Sequence, residues 1–251
     1  MEKKNRILVV VIGLLMTLGV HAQTEKGRLT IEPHIGMTVA NFVGSSSDGS
    51  TGKVGLMGGF DFQYGISDRW SFSMGANYAQ YGARDYGEHG MMGYVQPIPT
   101  RELPIGGTYG IAISENNHVN YHVNYLTFPM TIAFHPYQGL FLRAGVQLNV
   151  RMNSKMKGKS TIYGAFLPVE ESTYVTDGTG ITHLDVDTDL DDDIKPIDLG
   201  IPVGIGYEYK NLTFDVRYLF GLLNISKEDN EHLRNSAFMF TLGYKLPFAK
   251  R

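Results

Sequence analysis

The segment LFLRAGVQLNVR, residues 140–151, decides the fold because its side chains alternate with a period of two. Leucine, alanine and valine occupy the even positions, whereas the odd positions from 143 to 151 carry arginine, glycine, glutamine and asparagine. Strict alternation over this length is typical of a β-strand with one apolar and one polar face. The segment therefore predicts a strand that separates two different environments.

Further segments repeat this alternation and predict an all-β protein with eight strands; they cover residues 29–40, 54–64, 70–78, 121–134, 198–209, 212–221 and 238–246. The connections alternate between short turns (65–69, 135–139, 210–211) and long polar stretches (41–53, 82–120, 152–197, 222–236). A barrel whose two termini lie on the periplasmic side of an outer membrane needs this arrangement. We therefore predict an eight-stranded antiparallel up-and-down transmembrane β-barrel with short periplasmic turns and long extracellular loops.

The composition of the polar face indicates which side of the barrel meets lipid. Alternation alone also fits a water-soluble lipocalin-like barrel, whose apolar side chains point inward. Here the polar face is mostly Gly, Ser, Thr, Ala and Asn rather than the Lys and Glu of a water-facing surface. Small residues suit the narrow interior of an eight-stranded barrel. We therefore expect Phe60, Leu142 and Val203 to face lipid.

Aromatic residues cluster near the strand ends and predict girdles at the two membrane interfaces. The periplasmic girdle would contain Tyr64, Trp70, Phe134, Tyr207, Tyr209 and Tyr244. The outer girdle would contain Tyr78, Tyr81, Tyr121, Tyr218, Phe220 and Phe238. Ordinary strand propensity also favours aromatic residues, so the girdles alone do not decide the fold.

Charged residues on the polar face are few and nearly balanced in sign. They are Glu32, Asp61, Asp198, Glu208 and Asp215 among the acids, and Arg143, Arg151, Arg217 and Lys245 among the bases. Buried charges require partners, so this set predicts a lumenal charge network. The network could form a packed core or line a gated polar channel. The packed core is favoured, because side chains normally fill barrels this narrow.

The first residues are typical of an export signal. Lys3, Lys4 and Arg6 precede an apolar run over residues 7–20, and a small-residue cleavage site ends at Ala22. We predict a cleaved signal peptide over residues 1–22 and one barrel domain over residues 23–251, in the cell outer membrane. A retained transmembrane helix is the alternative, but the run is short for a bilayer.

The overall composition excludes several classes of function. The chain has no Cys, which excludes disulfides, thiolate metal sites, a Cys nucleophile and a lipoprotein anchor. Its formal net charge of −3 gives no indication of a nucleic-acid partner. Outer-membrane lipid is the partner that the strand pattern implies.

An acidic run over residues 185–193 is the one local motif that suggests a ligand. Asp185, Asp187, Asp189 and Asp191 are candidate calcium ligands, since Ca²⁺ prefers oxygen donors. An EF-hand starting at Asp185 would however need glycine at Leu190 and glutamate at Pro196. Extended spacing would place the four carboxylates in a row without convergence, so a solvated, self-repelling loop is the alternative. We expect no other cofactor.

Histidines give no clear indication of an active site. His118 and His122 are four residues apart, which in a strand places them on one face but too far apart for a shared metal. No spacing of His, Ser or Asp specifies a catalytic triad, which is recognised by geometry. A hydrolase or acyl transferase is therefore the least favoured function.

Two stretches carry a resemblance to a known family. FPMTIAF at 128–134 with LFLRAG at 140–145 resembles the mid-barrel hairpin of the Bacteroidetes outer-membrane β-barrel proteins called PorT-like. DLG at 198–200, GIGYEY at 204–209 and DVRY at 215–218 resemble that family's penultimate strand pair. The resemblance implies the barrel fold and the outer membrane, and some relatives assist a protein-secretion machine.

Three functions remain open at this point. The favoured one is a non-enzymatic barrel with a plugged lumen, whose long extracellular loops bind a protein partner or serve the envelope or secretion. The second is a small pore or transport accessory. The third is the hydrolase or transferase named above.

Overall fold

The computed structural model describes residues 26–44, 50–93, 111–163, 175–176, 181–228 and 232–247. The predicted signal peptide, residues 1–22, lies outside the described residues. Within the described residues no helix is long and apolar enough to cross a membrane. The strands are β1 (Leu29–Val43), β2 (Ser50–Gly65), β3 (Trp70–Tyr81), β4 (Ala83–Gly93), β5 (Ile111–Phe134), β6 (Leu140–Tyr163), β7 (Val175–Thr176), β8 (Ile181–Asp189), β9 (Ile197–Tyr209), β10 (Leu212–Gly221), β11 (Arg234–Tyr244) and β12 (Leu246–Pro247).

Eight of these strands form a closed antiparallel barrel. The ring runs β1, β2, β3, β5, β6, β9, β10 and β11, and then returns to β1. Ile35 of β1 pairs with Leu242 of β11 where the barrel closes. Closure pairs the backbone groups of every strand on both sides, which is what a hydrocarbon environment demands of a sheet. The predicted fold is confirmed.

The large apolar side chains of the barrel strands point outward. Phe60 is 41%, Leu142 46% and Val203 44% exposed, and they belong to an apolar belt around the barrel. A contiguous apolar surface of this kind would be unfavourable in water and is favourable in lipid. The expected orientation is therefore confirmed, and the lipocalin-like alternative is wrong.

Two aromatic residues assigned to the outer girdle lie elsewhere. Tyr81 is fully buried inside the barrel, where its ring centroid is 5.4 Å from that of Tyr125. Tyr121 is half-buried at the outer mouth, 5.9 Å from the Phe42 ring. Both odd-numbered residues follow the lumen-facing alternation of their strands, so their proximity to the strand ends was a misleading criterion.

The predicted loops 82–120 and 152–197 are in part regular β-structure. β5 and β6 are each 24 residues long and continue their pairing beyond the apolar belt. β4 pairs with the outer half of β5, and β8 with the outer half of β6. Together these outer segments form a sheet, here called the projecting sheet. Polar alternation is compatible with a sheet that has water on its outer face, so pairing continues where the lipid ends.

A β-bulge in β6 separates the barrel from the projecting sheet. Tyr125 pairs with Arg151, but the next residue, Asn124, pairs with Asn153, which leaves Met152 without a partner. Because of the extra residue, the odd-numbered side chains of β6 point inward below the bulge and outward above it. Below the bulge, odd residues such as Arg143 are buried; above it, Ser154 is buried while Lys155 is exposed.

Candidate functional site: the barrel interior and its outer mouth

A cluster of four charged side chains occupies the centre of the barrel. The Arg217 Nε atom lies 2.7 Å from Asp215 Oδ2, and its Nη2 atom lies 3.7 Å from Asp61 Oδ2. The Arg143 Nη1 atom lies 3.2 Å from Asp215 Oδ2 and 3.7 Å from Asp61 Oδ2. All four side chains are buried and have lost their hydration. The attraction between the opposite charges must offset this loss.

A glycine makes the close approach of this cluster to the wall possible. A Cβ atom on Gly75 of β3 would lie 1.9 Å from Asp61 Oδ1. No side chain fits at that separation, so Asp61 occupies the volume that any other residue would fill. The small residues of the lumenal face thus serve the packing of charged side chains.

The other predicted members of the charge network lie at separate levels. Glu32 is buried in the same part of the interior as Asp61, its direct cross-strand neighbour. Glu208 forms an ion pair with Lys245 near the periplasmic end. Asp198 lies towards the outer end among amide side chains. The sequence predicted one network, whereas the structure divides the charges among these groups.

The Asp198 group is a layer of amides and tyrosines above the central charges. Asn149 and Asn235 each donate an Nδ2 hydrogen bond to Asp198 Oδ2, at 3.0 Å and 2.8 Å. Asn235 also donates to Tyr125 Oη at 3.1 Å, and Gln147 donates to Tyr81 Oη at 3.0 Å. Sequence reasoning missed both tyrosines, although their odd numbering within β3 and β5 indicated the lumenal face.

Apolar side chains from two loop segments close the outer mouth. Ile194, from the segment between β8 and β9, and Ile225, from the segment after β10, are buried in one cluster with Phe42 and Val123. The segments bind each other, because the Lys195 N–H donates to the Ile225 carbonyl at 2.7 Å. The interior is thereby covered by apolar groups at its outer end.

Asp191 fastens the first of these segments to the bulge of β6. Its Oδ1 atom accepts hydrogen bonds from the Ser154 backbone N–H at 2.7 Å and from Ser154 Oγ at 2.8 Å. Arg151 forms an ion pair with the same carboxylate and donates from Nη2 to the Asp191 carbonyl at 2.9 Å. This corrects the expectation for Arg151, which binds a loop at the rim instead of joining the central charges, because it lies eight residues beyond Arg143 on β6, about 26 Å along the strand.

We expect Asp191→Ala to loosen the segment that carries Ile194. The substitution removes three hydrogen-bond acceptor contacts, one of them to a guanidinium, and such contacts contribute about 1–3 kcal/mol. Amide hydrogen exchange of Lys195 and Leu190 should accelerate by about tenfold or more through local opening. Asp192→Ala, at the exposed neighbour, is the control and should leave both rates unchanged. Equal exchange in the two variants would show that Asp191 does not hold the segment.

The candidate calcium ligands face lysines in the projecting sheet. Asp185, Asp187 and Asp189 of β8 lie directly opposite Lys159, Lys157 and Lys155 of β6. The Lys157 Nζ atom is 3.2 Å from Asp187 Oδ2. Asp191 turns away to bind Arg151 and Ser154, so the four carboxylates do not converge.

The described part of the chain holds no group of three or more His, Asp or Glu side chains arranged for a metal ion. The acidic run instead has cross-strand partners of opposite charge, which favour its pairing register. The geometry therefore gives the calcium site no support. Lysines at every second position from 155 to 159 were the signal in the sequence that the interpretation missed.

Comparisons with solved structures return outer-membrane barrels. Ail, the attachment invasion locus protein of Yersinia pestis, is 12% identical with a TM-score of 0.38, covering 88% of this chain and 99% of that chain. Neisserial surface protein A is 12% identical with a TM-score of 0.41, covering 87% of this chain and 97% of that chain. A de novo designed transmembrane β-barrel is 12% identical with a TM-score of 0.33, covering 89% of this chain and 99% of that chain.

No curated protein matches the chain. A family model described as outer membrane protein beta-barrel domain matches residues 21–227, which is most of the chain and includes seven of the eight strands of the closed ring. With its closed ring of eight strands and its outward apolar belt, the chain belongs to the outer membrane protein beta-barrel domain family.

Proposed function

We propose that this protein is a non-enzymatic outer-membrane barrel whose lumen is filled by its own side chains and which acts through the projecting sheet outside the membrane. The observation that carries the closed lumen is the stacking of three layers in the interior. These are the central charges around Arg217, the amide and tyrosine layer around Asp198, and the apolar cover around Ile194.

The projecting sheet supports the second half of the proposal. It extends paired backbone well beyond the apolar belt, through ten pairs between β4 and β5 and nine pairs between β6 and β8. Cross-strand charge pairs such as Lys157 with Asp187 hold its register. A paired sheet outside the membrane presents a surface to which a partner can bind, and barrel functions commonly reside in such outer segments.

We expect the protein to give no conductance steps in planar lipid bilayers. Ions would have to cross the central charge cluster and the apolar cover, both of which exclude a continuous water path. Single-channel recording of the refolded protein tests this, with a known porin as positive control. Discrete, reproducible steps would instead establish a small pore.

Shortening the projecting sheet should abolish partner binding and leave the barrel folded. Lys155 and Asp189 lie opposite each other, so a two-residue Asn-Gly turn can replace the intervening residues 156–188. The variant keeps Ser154 and Asp191, and therefore the cover of the mouth. A heat-modifiable gel shift checks the barrel, and a pull-down from native membranes compares the two proteins. Loss of the gel shift would show that the sheet is needed for folding instead.

We further propose the finer identity that the sequence resemblance implies. The motifs at 128–134 and 204–209 support a place among the PorT-like barrels of Bacteroidetes and, with it, a role in the envelope or as a secretion accessory. Processing after Ala22 would deliver the chain to the outer membrane. Mass spectrometry of the protein from outer membranes should find Gln23 at the N-terminus; an intact Met1 would contradict this.

A further inference from the structure

Three basic side chains lie together at the outer rim without a carboxylate partner among the described residues. Lys53 is on β2, Arg84 on β4 and His122 on β5. Gly52 pairs with Ala83, and Arg84 pairs with Asn120, so the register brings the three strands side by side at this point. The kink that makes this possible is at Gly82, whose φ is +134° and whose Cβ would lie 1.9 Å from the Tyr121 carbonyl oxygen.

Lys53 is the least expected member of this group. Lys53 is only 6% exposed, and the cation of Arg84 lies on the neighbouring strand. The Arg84 Nε atom is buried without an acceptor in the described part of the chain. A buried donor without an acceptor beside a second cation is costly, and such groups normally have a partner. An anion between the two side chains would accept from Arg84 and offset the repulsion.

We propose that Lys53, Arg84 and His122 form a binding site for a phosphate group at the outer rim of the barrel. Arginine offers a planar set of donors to phosphate oxygens, and lysine offers a point charge. The proposal goes beyond the function of the projecting sheet and does not depend on it. The two sources of such a group are inorganic phosphate and the phosphorylated headgroup of a lipid.

The position of the site fits either source. Directly below Lys53 on β2, Val54 and Leu56 are exposed members of the apolar belt. On β5, His122 lies four residues beyond the exposed Leu126, about 13 Å along the strand. The site thus lies at the level of lipid headgroups, where Arg84 and His122 are half-exposed.

The surrounding charges indicate how binding should depend on pH. His122 lies beyond the apolar belt, and its pKa is lowered by burial first and then by Lys53 and Lys157. Lys155, its cross-strand neighbour, adds a further cation, and Arg84 lies on the adjacent strand. A bound phosphate offsets this repulsion and favours protonated His122. Affinity for the singly charged phosphate group should therefore rise as the pH falls through the pKa of His122.

The first test is calorimetric titration of the full-length protein with inorganic phosphate in a phosphate-free glycoside detergent. We expect saturable binding, weakened at least about tenfold in Lys53→Met and in Arg84→Met, because each loses a charged hydrogen bond. Lys53→Arg should retain binding. Lys210→Met, which removes an exposed lysine at the periplasmic end, is the matched control and should bind as the parent does.

The second test places the protein in nanodiscs of phosphatidylcholine with a minor fraction of phosphatidic acid. A shifted phosphomonoester ³¹P signal that disappears in Lys53→Met, without binding of inorganic phosphate, assigns the site to a lipid headgroup. Lys53→Met should also raise the urea midpoint of unfolding, because it removes a cation beside Arg84. If Lys53→Met shows no heat-modifiable gel shift, the variant has not folded, and phosphate binding by Arg84→Met is then the test of the proposal. Binding of neither probe, or binding unchanged in Arg84→Met, would overturn the proposal.

Discussion

Arg217→Met is expected to destabilise the barrel by about 3–5 kcal/mol, since breaking a buried ion pair leaves an uncompensated charge. Arg217 is fully buried and contacts both Asp215 and Asp61. Without it, Arg143 alone would face these two carboxylates, with Glu32 also buried close by. Equilibrium unfolding in urea, in lipid vesicles, measures the change.

A double variant separates loss of charge pairing from loss of volume. Arg217→Met combined with Asp215→Leu removes one charge of each sign, and replacing a buried pair by apolar groups is often nearly neutral. The double variant should therefore recover much of the lost stability. Arg69→Met, on the exposed turn between β2 and β3, should change stability by less than about 0.5 kcal/mol. A loss below about 1 kcal/mol for Arg217→Met would contradict a dry, charge-paired interior.

Val146→Arg is expected to cost about 2–4 kcal/mol in a bilayer, because an arginine on the lipid face near the midplane is poorly solvated. Val146 lies midway along the barrel part of β6, is 43% exposed and pairs with Met130 of β5. The substitution should slow folding into vesicles and lower the urea midpoint of unfolding.

The matched control for Val146→Arg is Tyr137→Arg in the turn between β5 and β6. Tyr137 is 66% exposed and Val146 is 43% exposed, so both positions would tolerate an arginine if both faced water. Only the lipid around Val146 distinguishes the two positions. If both arginines were tolerated equally, the belt would have to face water.

Much of this fold could be predicted from the sequence because one physical rule governs each barrel strand. Successive side chains of every spanning strand point alternately to lipid and to the narrow interior. The outward orientation of Phe60, Leu142 and Val203 follows from this alternation. The burial of Asp61, Arg143, Asp215 and Arg217 follows from the same rule. Which of these charges would meet each other did not follow, because that depends on the stagger of strands around the ring.

The features that could not be predicted depend on contacts between distant segments. The unpaired Met152 changes the facing of β6, and no local pattern marks a bulge there. Asp191 binds Ser154 and Arg151 only because β8 pairs with β6. The site around Lys53 and Arg84 likewise arises from a strand kink at Gly82, which brings together residues far apart in the sequence.

Site-directed spin labelling along β6 tests most directly whether the large apolar side chains face lipid while small and charged ones fill the interior. The chain has no Cys, so each single-Cys variant from 142 to 150 carries one label. In bilayers, we predict high accessibility to molecular oxygen at the even positions, and low accessibility to both oxygen and a water-soluble nickel reagent at the odd positions. Oxygen accessibility that peaks at 143, 145 and 147, or even positions that collide mainly with the nickel reagent, would contradict the account.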